Sequence, residues 1–434
     1  MKEHMSTVST GFNVIGPVTS TIGLATATRG TLDLLINASL PLSMTNLQVG
    51  ERTPLPKRFA DIEQPFSTSM PYGVNVFHMQ PDTIALLLTA GLRRSPADRR
   101  INSVVPFWEV SHIPKSWVRP LETVDAVLAP SLHIAHVLSH AGIDAPIIHY
   151  PQGITVPANV APARGAWDFA DNEIVFLSMF DVLSDIIRKN PLGALDAFQL
   201  AFPKRSDVRL VIRMKSADAD LKYALAVAEL RARVIQDSRV SLVEQDLSSE
   251  DIFRLIASAD VFVSMHRAEG LGLILMESMA LGTPVIGTGW SGNLDYMTDE
   301  NSALVGFDFV DVNGIHDYYQ EAFVGGTPQW AEPRTAEAAN WMRRFADDHE
   351  LASNMGQKAR RDMANLNASV ERLTPFLQLA EMFESGALDQ PRHSAARRRI
   401  RSYQRAGIKG AALRRIRNSA RSVVRALRHK NGTD

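Results

Sequence analysis

"ADVFVSMHRAEGLGLILMESMALGTPVIGTG", residues Ala259 to Gly289, decides the fold. An apolar, β-branched run ends near Met265, a loop with Gly270 and Gly272 follows, and a greasy segment of helical length starts near Leu273. Gly282 and Pro284 then stop it, and a second apolar run begins. Units of strand, loop, helix and strand build parallel sheets. The loop carries Glu269 and the helix carries Glu277. The two glycines let backbone N–H groups come close to a ligand at a helix N-terminus, where partial positive charge favours phosphate or another anion. Glu277 stands among Leu273, Ile274, Leu275, Met276, Met279 and Leu281, so its carboxylate is expected to be buried and to need donors. Ribose hydroxyls would supply them, and so would a structural partner on a neighbouring strand.

Outward from this stretch the same alternation recurs. "EIVFLSMF", "VRLVIRM" and "VSLVEQ" read as further strands, with helices such as Asn190 to Phe202 and Ser249 to Ala257 between them. The first half repeats the theme in "FNVIGPV", "YGVNVFHM", "INSVVPFWEV", "VDAVLAPS" and "APIIHY". Periodicity lapses in "YPQGITVPANVAPARGAW", which marks a hinge between Pro151 and Trp167. The expected architecture is α/β, with two Rossmann-like doubly wound parallel-sheet domains over residues 1–160 and 161–335. After about Phe307 the strand pattern stops. Residues 336–390 read as C-terminal helices that cap the second domain or cross back to the first, and 391–434 as a basic amphipathic tail. Open parallel sheets bind ligands outside the carboxyl ends of their strands, so a cleft between two facing domains is the expected site.

Several charged residues fall in such strand-to-helix loops. Arg188 and Lys189 immediately precede Asn190 and Pro191, which suit an N-cap and a first helical residue. Cations there oppose the helix dipole and make sense if an anion sits between. Arg213, with Lys215, follows on the same predicted sheet edge, and together these basic residues suggest a diphosphate. In the first half, "GPVTSTIGLATATRG" offers Gly16 and Gly23 ahead of a helix, but it has neither the GxGxxG order nor the GK[ST] of a P-loop. That disfavours a nicotinamide cofactor and P-loop ATP chemistry. Trp108 and Glu109, with Trp117 nearby, suit a polyhydroxylated acceptor or the packing of a loop. His133, His136 and His140 share a helical face without a completing ligand, and Asp218 and Asp220 read as the start of a helix, so no metal site is assigned.

Composition narrows the classes. The chain has 434 residues, 45% of them hydrophobic, enough for two or three domains with cores. Its lack of cysteine excludes disulfides, thiolate metal sites and nucleophilic cysteine chemistry. The N-terminus has no signal-peptide core, and nowhere do eighteen apolar residues run together, so a cytoplasmic location is expected. The net charge of -1 hides an asymmetry: from Arg392 onward there are 14 bases and one acid. There Leu413, Ile416, Ala420, Val423, Val424 and Leu427 recur at helical spacing among arginines. Over residues 392–430 this pattern fits the anionic inner face of a membrane. A solvated tail is the plain alternative, and nucleic acid is disfavoured because only Tyr403 accompanies the arginines as a stacking aromatic.

"EGLGLILME", within "SMHRAEGLGLILMESMALGTPVIGTGWSGN", resembles the E-x7-E element of the GT-B-fold retaining glycosyltransferases of family 4. "RKNP" resembles their phosphate-binding segment, and "PFWEVSHIPKSW" with "VDAVLAPS" resembles the first-domain pattern of bacterial surface-polysaccharide enzymes. The likeness spans roughly Phe12 to Glu384. It implies transfer of a hexose from a nucleotide diphosphate sugar, GDP-mannose or a UDP-sugar, to a glycan or lipid-linked acceptor, with retention and with neither metal nor cofactor. Carried over, Glu269, Arg188 and Lys189 would be catalytic. Gly23, Arg213, His266, Gly270, Leu271, Gly272 and Glu277 would bind the donor, and Trp108 and Glu109 the acceptor. A nucleotide-sugar epimerase or phosphorylase of the same fold, and a non-catalytic sugar-binding protein held at a membrane by its tail, are the alternatives.

Overall fold

The computed structural model describes residues 8–49, 53–64, 70–84, 100–216, 218 and 220–386. The basic tail lies outside the described residues, so the membrane reading of 392–430 rests on sequence alone. Among the described residues no helix is long and apolar enough to cross a membrane. The chain divides into two compact units: Met1–Phe107, Lys115–Thr155 and Ser369–Asp434 make the first, Trp108–Pro114 and Val156–Ala368 the second.

In the first unit, strands β1 (Ser9–Gly16), β2 (Leu42–Asn46), β3 (Tyr72–Phe77), β4 (Ile101–Val104), β5 (Ala126–Ala129) and β6 (Ile147–His149) form one sheet in the order β2-β1-β3-β4-β5-β6. Every pairing in it is parallel. The strands are largely buried runs, as sheets covered on both faces require. A polar line crosses this apolar sheet. Ser43 Oγ donates to Asn13 Oδ1 (2.8 Å), Asn13 Nδ2 to Asn75 Oδ1 (2.8 Å), and Asn75 Nδ2 to Asn102 Oδ1 (2.9 Å). These residues are register partners on four adjacent strands. The last described helix, Thr374–Glu384, belongs to this unit, and its Phe376 stacks edge-on against Phe12 and Tyr150 in the core.

The second unit holds β7 (Ile174–Asp181), β8 (Val208–Lys215), β9 (Val240–Val243), β10 (Val261–Ser264), β11 (Val285–Thr288) and β12 (Ala303–Val305) in the order β12-β11-β10-β7-β8-β9. This sheet is also wholly parallel. The chain builds β8 and β9 to one side of β7 and then returns to lay β10 on the other. The strand order therefore reverses between β7 and β10, and the loops leaving those two strands diverge there to make a crevice. Helices Pro191–Ala201 and Thr335–Asp347 pack together on the core, and His349–Ala368 packs on Leu273–Leu281.

The structure adds strands that the sequence pattern hides. β2 and β12 are short, and from Phe307 on, where the apolar strand pattern stops, β13 (Phe307–Asp311) pairs antiparallel with β14 (Gln329–Pro333). β13 reads F-D-F-V-D and is mostly exposed, so it lacks the continuous apolar run that betrays a central strand.

Candidate functional site

The loop leaving β7 carries the cations. Residues Ile186–Lys189 form a single helical turn, and Asn190, in the left-handed region at φ 51°, caps helix Pro191–Ala201 by accepting the Gly193 N–H at 3.1 Å. The turn is organised by Asp185, which is fully buried at φ 72°. Its Oδ1 accepts the N–H groups of Ile187 (2.9 Å) and Arg188 (3.2 Å), and its Oδ2 accepts those of His316 (2.6 Å) and Ile315. One carboxylate thus ties the Arg188 backbone to the loop between β13 and β14.

The loop leaving β10 carries Glu269, whose backbone is held from both sides. Its N–H donates to Ser291 Oγ at 2.8 Å, and its carbonyl accepts from Gly292 N–H at 2.9 Å. Ser291 adopts φ 79°, a conformation costly for a residue with a side chain. A Cβ added to Gly292 would lie 2.0 Å from the Gly270 carbonyl oxygen, so glycine is required for that approach. Asp185, Asn190 and Ser291 are three of the six non-glycine residues at positive φ among the described residues, and all three adjoin this site.

The two loops meet. Lys189 Nζ contacts Glu269 Oε1 directly, and Arg188 Nη1 lies 3.4 Å from Glu269 Oε2. Arg188 is otherwise pinned by backbone carbonyls: Nε donates to Ser184 O at 3.0 Å and Nη1 to Ala268 O at 2.7 Å. Its remaining arm, Nη2, faces Glu109 Oε1 at 3.6 Å. The segment bearing Glu109 is fastened to the β13–β14 region by Ser111 Oγ, which accepts the Gln329 N–H at 2.8 Å, and by Ile113 O, which accepts Val324 N–H at 3.0 Å. Tyr319 OH donates to Glu109 Oε2 at 3.4 Å.

Burial alone would raise the Glu269 carboxyl; Lys189 and then Arg188 overcome it and hold the group at about 2. A carboxylate so far below neutrality is a poor proton shuttle and a good fixed acceptor for hydroxyls. Burial lowers Lys189 despite Glu269, whereas Glu109 and Glu269 outweigh burial and raise Arg188. Glu109 is raised by burial and by Glu269, against Arg188. His266 is buried and held at about 4 by desolvation; its ring nitrogens lie 3.0 Å from Ser264 Oγ and 3.2 Å from Asn293 Oδ1, so it braces the loop as a neutral ring.

Gly272, at φ 85°, precedes helix Leu273–Leu281, which has no side-chain N-cap, and Tyr296 OH donates to the carbonyls of Leu271 (2.7 Å) and Gly272 (2.8 Å). The N–H groups of this helix start therefore have no side-chain competitor for an anion. A Cβ on Gly270 would press on the Trp108 backbone at 2.9 Å. Glu277 is half-buried on the helix, less enclosed than its apolar flanks suggest. Arg213 on β8 is buried with its Nε unpartnered. Trp108 is 1% exposed, its ring packed against Tyr318, Tyr319 and Phe323, and so acts as a core residue rather than an open stacking face. Gly23 opens helix Gly23–Asn37 in the first unit and is exposed. Sequence reasoning missed Asp185, Ser291, Asn293 and Tyr319; only the acid just before "IIRKNP" offered a signal.

Residues 173–314 match the family described as Glycosyl transferases group 1. No curated protein matches the chain in sequence. Among solved structures, sucrose-phosphate synthase from Thermosynechococcus elongatus aligns over 87% of this chain and 99% of its own, at 15% identity and TM-score 0.59. Anabaena HepE, solved with UDP-glucose, aligns over 86% of this chain and all of its own, at 16% identity and TM-score 0.57. S. aureus TarM, in a complex that includes UDP, aligns at 13% identity and TM-score 0.51 over 71% of this chain. This chain spans only 55% of TarM's length. The two parallel six-stranded sheets with their flanking and C-terminal helices are the GT-B fold.

Proposed function

We propose that this chain, whose second unit carries the group 1 glycosyltransferase segment, transfers a hexose from a nucleotide diphosphate sugar to a glycan or lipid-linked acceptor with retention of configuration. One observation carries the reading: Arg188 and Lys189, leaving β7, converge on Glu269, leaving β10, where the strand order of that segment's sheet reverses. In this reading the two cations and the uncapped start of helix Leu273–Leu281 neutralise the diphosphate as its bond to the sugar breaks, with Arg213 and the Gly270–Gly272 backbone lining it. Glu277 takes the ribose hydroxyls. Stabilising charge that develops on a leaving group is the largest resource such a site has. Glu269, ionised at any ordinary pH, orients the sugar's hydroxyls and does not carry a proton. The acceptor's proton passes instead to the departing phosphate oxygen, on the same face of the sugar, as the new glycosidic bond forms. UDP-sugars are the first donors to try, because HepE was solved with UDP-glucose and TarM with UDP; GDP-mannose is the second.

Nucleotide release from UDP-glucose or GDP-mannose should fall on the order of 10²-fold to 10³-fold in Glu269→Ala and in Arg188→Ala, the loss typical of removing a preorganised charge-stabilising group. Binding and turnover of every nucleotide sugar that survive both substitutions would end the reading. The place of action we propose is the cytoplasmic face of the membrane, in surface-polysaccharide synthesis, reached through the basic tail. A chain ending at Gln390 should lose flotation with anionic liposomes that the full chain retains.

A further inference from the structure

Arg188 has one arm to give to a ligand. Ser184 O and Ala268 O hold Nε and Nη1, Glu269 lies against Nη1, and only Nη2 is left, facing Glu109 at 3.6 Å. That contact is longer than those to Ser184, Ala268 and Glu269, an ion pair beyond hydrogen-bond range. A phosphate oxygen that engages Arg188 must approach Nη2 and so meets the Glu109 carboxylate. Two anions cannot share one buried guanidinium arm without cost, since burial multiplies their repulsion.

We propose that Glu109 is an internal competitor for Arg188, and that a nucleotide diphosphate displaces it with uptake of one proton by the Glu109 carboxyl. The inference rests on the proposed function for the identity of the ligand. Glu109 acts through Arg188 and is a positioning residue. The charged and titratable groups that face it include Arg188 and Lys189 on the turn after β7, Glu269 on the loop after β10, and Tyr319 on the β13–β14 loop. Of these, Arg188 and Lys189 favour its ionised form and Glu269 opposes it, while the Tyr319 hydroxyl favours ionisation by donating to Oε2. Partial burial biases the carboxyl toward the neutral form although 22% of the side chain is exposed, and the added negative charge of a diphosphate pushes it further in the same direction.

The test is the affinity for UDP-glucose and for GDP-mannose measured by calorimetry between about pH 5.5 and about pH 8, away from the ordinary carboxylate range. Both phosphates of a nucleotide sugar are esterified and do not titrate there, so any linked proton belongs to the protein. Affinity should rise as pH falls, by up to about tenfold per pH unit for one linked proton. In Glu109→Gln it should be flat with pH and tighter than the native chain at the alkaline end. Tyr319→Phe removes a donor that favours the carboxylate, so its profile should keep the slope and move to higher pH. A native profile without pH dependence, or one that persists in Glu109→Gln, overturns the inference while leaving the proposed function intact. If no nucleotide sugar binds the native chain at any pH, the proposed function fails and takes this inference with it.

Discussion

Asp185 does at one position what the rest of the site does collectively. Its carboxylate accepts four backbone N–H groups from two segments 130 residues apart, with no exposure to water. The residue's positive φ is the cost of aiming both oxygens inward, and the four bonds offset it. Asp185→Asn keeps the shape but leaves one end unable to accept, so two N–H groups lose their partner. The expected loss is on the order of 2–3 kcal/mol of unfolding free energy, the cost of leaving a buried donor or two unpaired. Because Arg188 N–H is one of the four, nucleotide-sugar turnover should fall by more than the fraction unfolded. Comparing denaturant midpoints with kcat and KM on the same preparation checks this. An equal fall in folded fraction and activity would mean that Asp185 merely holds the fold.

The secondary-structure elements explain which parts of this were legible. β7 and β10 announce themselves as continuous apolar runs, and Arg188, Lys189 and Glu269 are visible because charge is abrupt where such runs end. Helix Leu273–Leu281 ends where Gly282 turns left-handed at φ 85°, the termination that a glycine before Thr-Pro suggests. Asp185 and Ser291 stayed hidden because their work is done on backbone groups of distant segments, which residue type does not encode. Trp108 left two readings open because an indole beside a loop reads alike whether its faces are open or covered by Tyr318, Tyr319 and Phe323. The amide line through β2, β1, β3 and β4 was equally invisible, since isolated asparagines in apolar strands carry no sign that they meet. Asn75→Leu should cost on the order of 2–3 kcal/mol, because one Asn13 amide N–H, whose other N–H keeps Tyr72 O, and the Asn102 side-chain carbonyl both lose the Asn75 partner in a dry sheet. Replacing Asn13, Asn75 and Asn102 by leucines and Ser43 by alanine together should recover much of that. Chemical unfolding of the two variants decides it; equal losses would mean that packing, not unpaired polarity, sets the penalty.

For the whole molecule, the two units differ in how the chain composes them. The second unit is almost one continuous stretch, Val156–Ala368, with Trp108–Pro114 added, whereas the first needs residues from Ser369 onward. Phe376 and Leu379 are fully buried in its core. Ending the chain at Ala368 removes both and uncovers Phe12 and Tyr150. At about 1.5–3 kcal/mol for each buried large apolar side chain, the loss approaches the margin by which a domain is stable. Calorimetry of the shortened chain should retain one transition, from the second unit, and lose the other; two transitions near their native temperatures would show the helix to be dispensable. The same return of the chain sets an order of events during synthesis. β1 to β6 are made before any strand of the second unit, yet that half lacks a packing helix until residues beyond Ala368 are made, whereas the described second unit is complete at Ala368. Segment order therefore favours completion of the second unit first, and the strands of the first, made before it, are the ones that most need shelter from premature association.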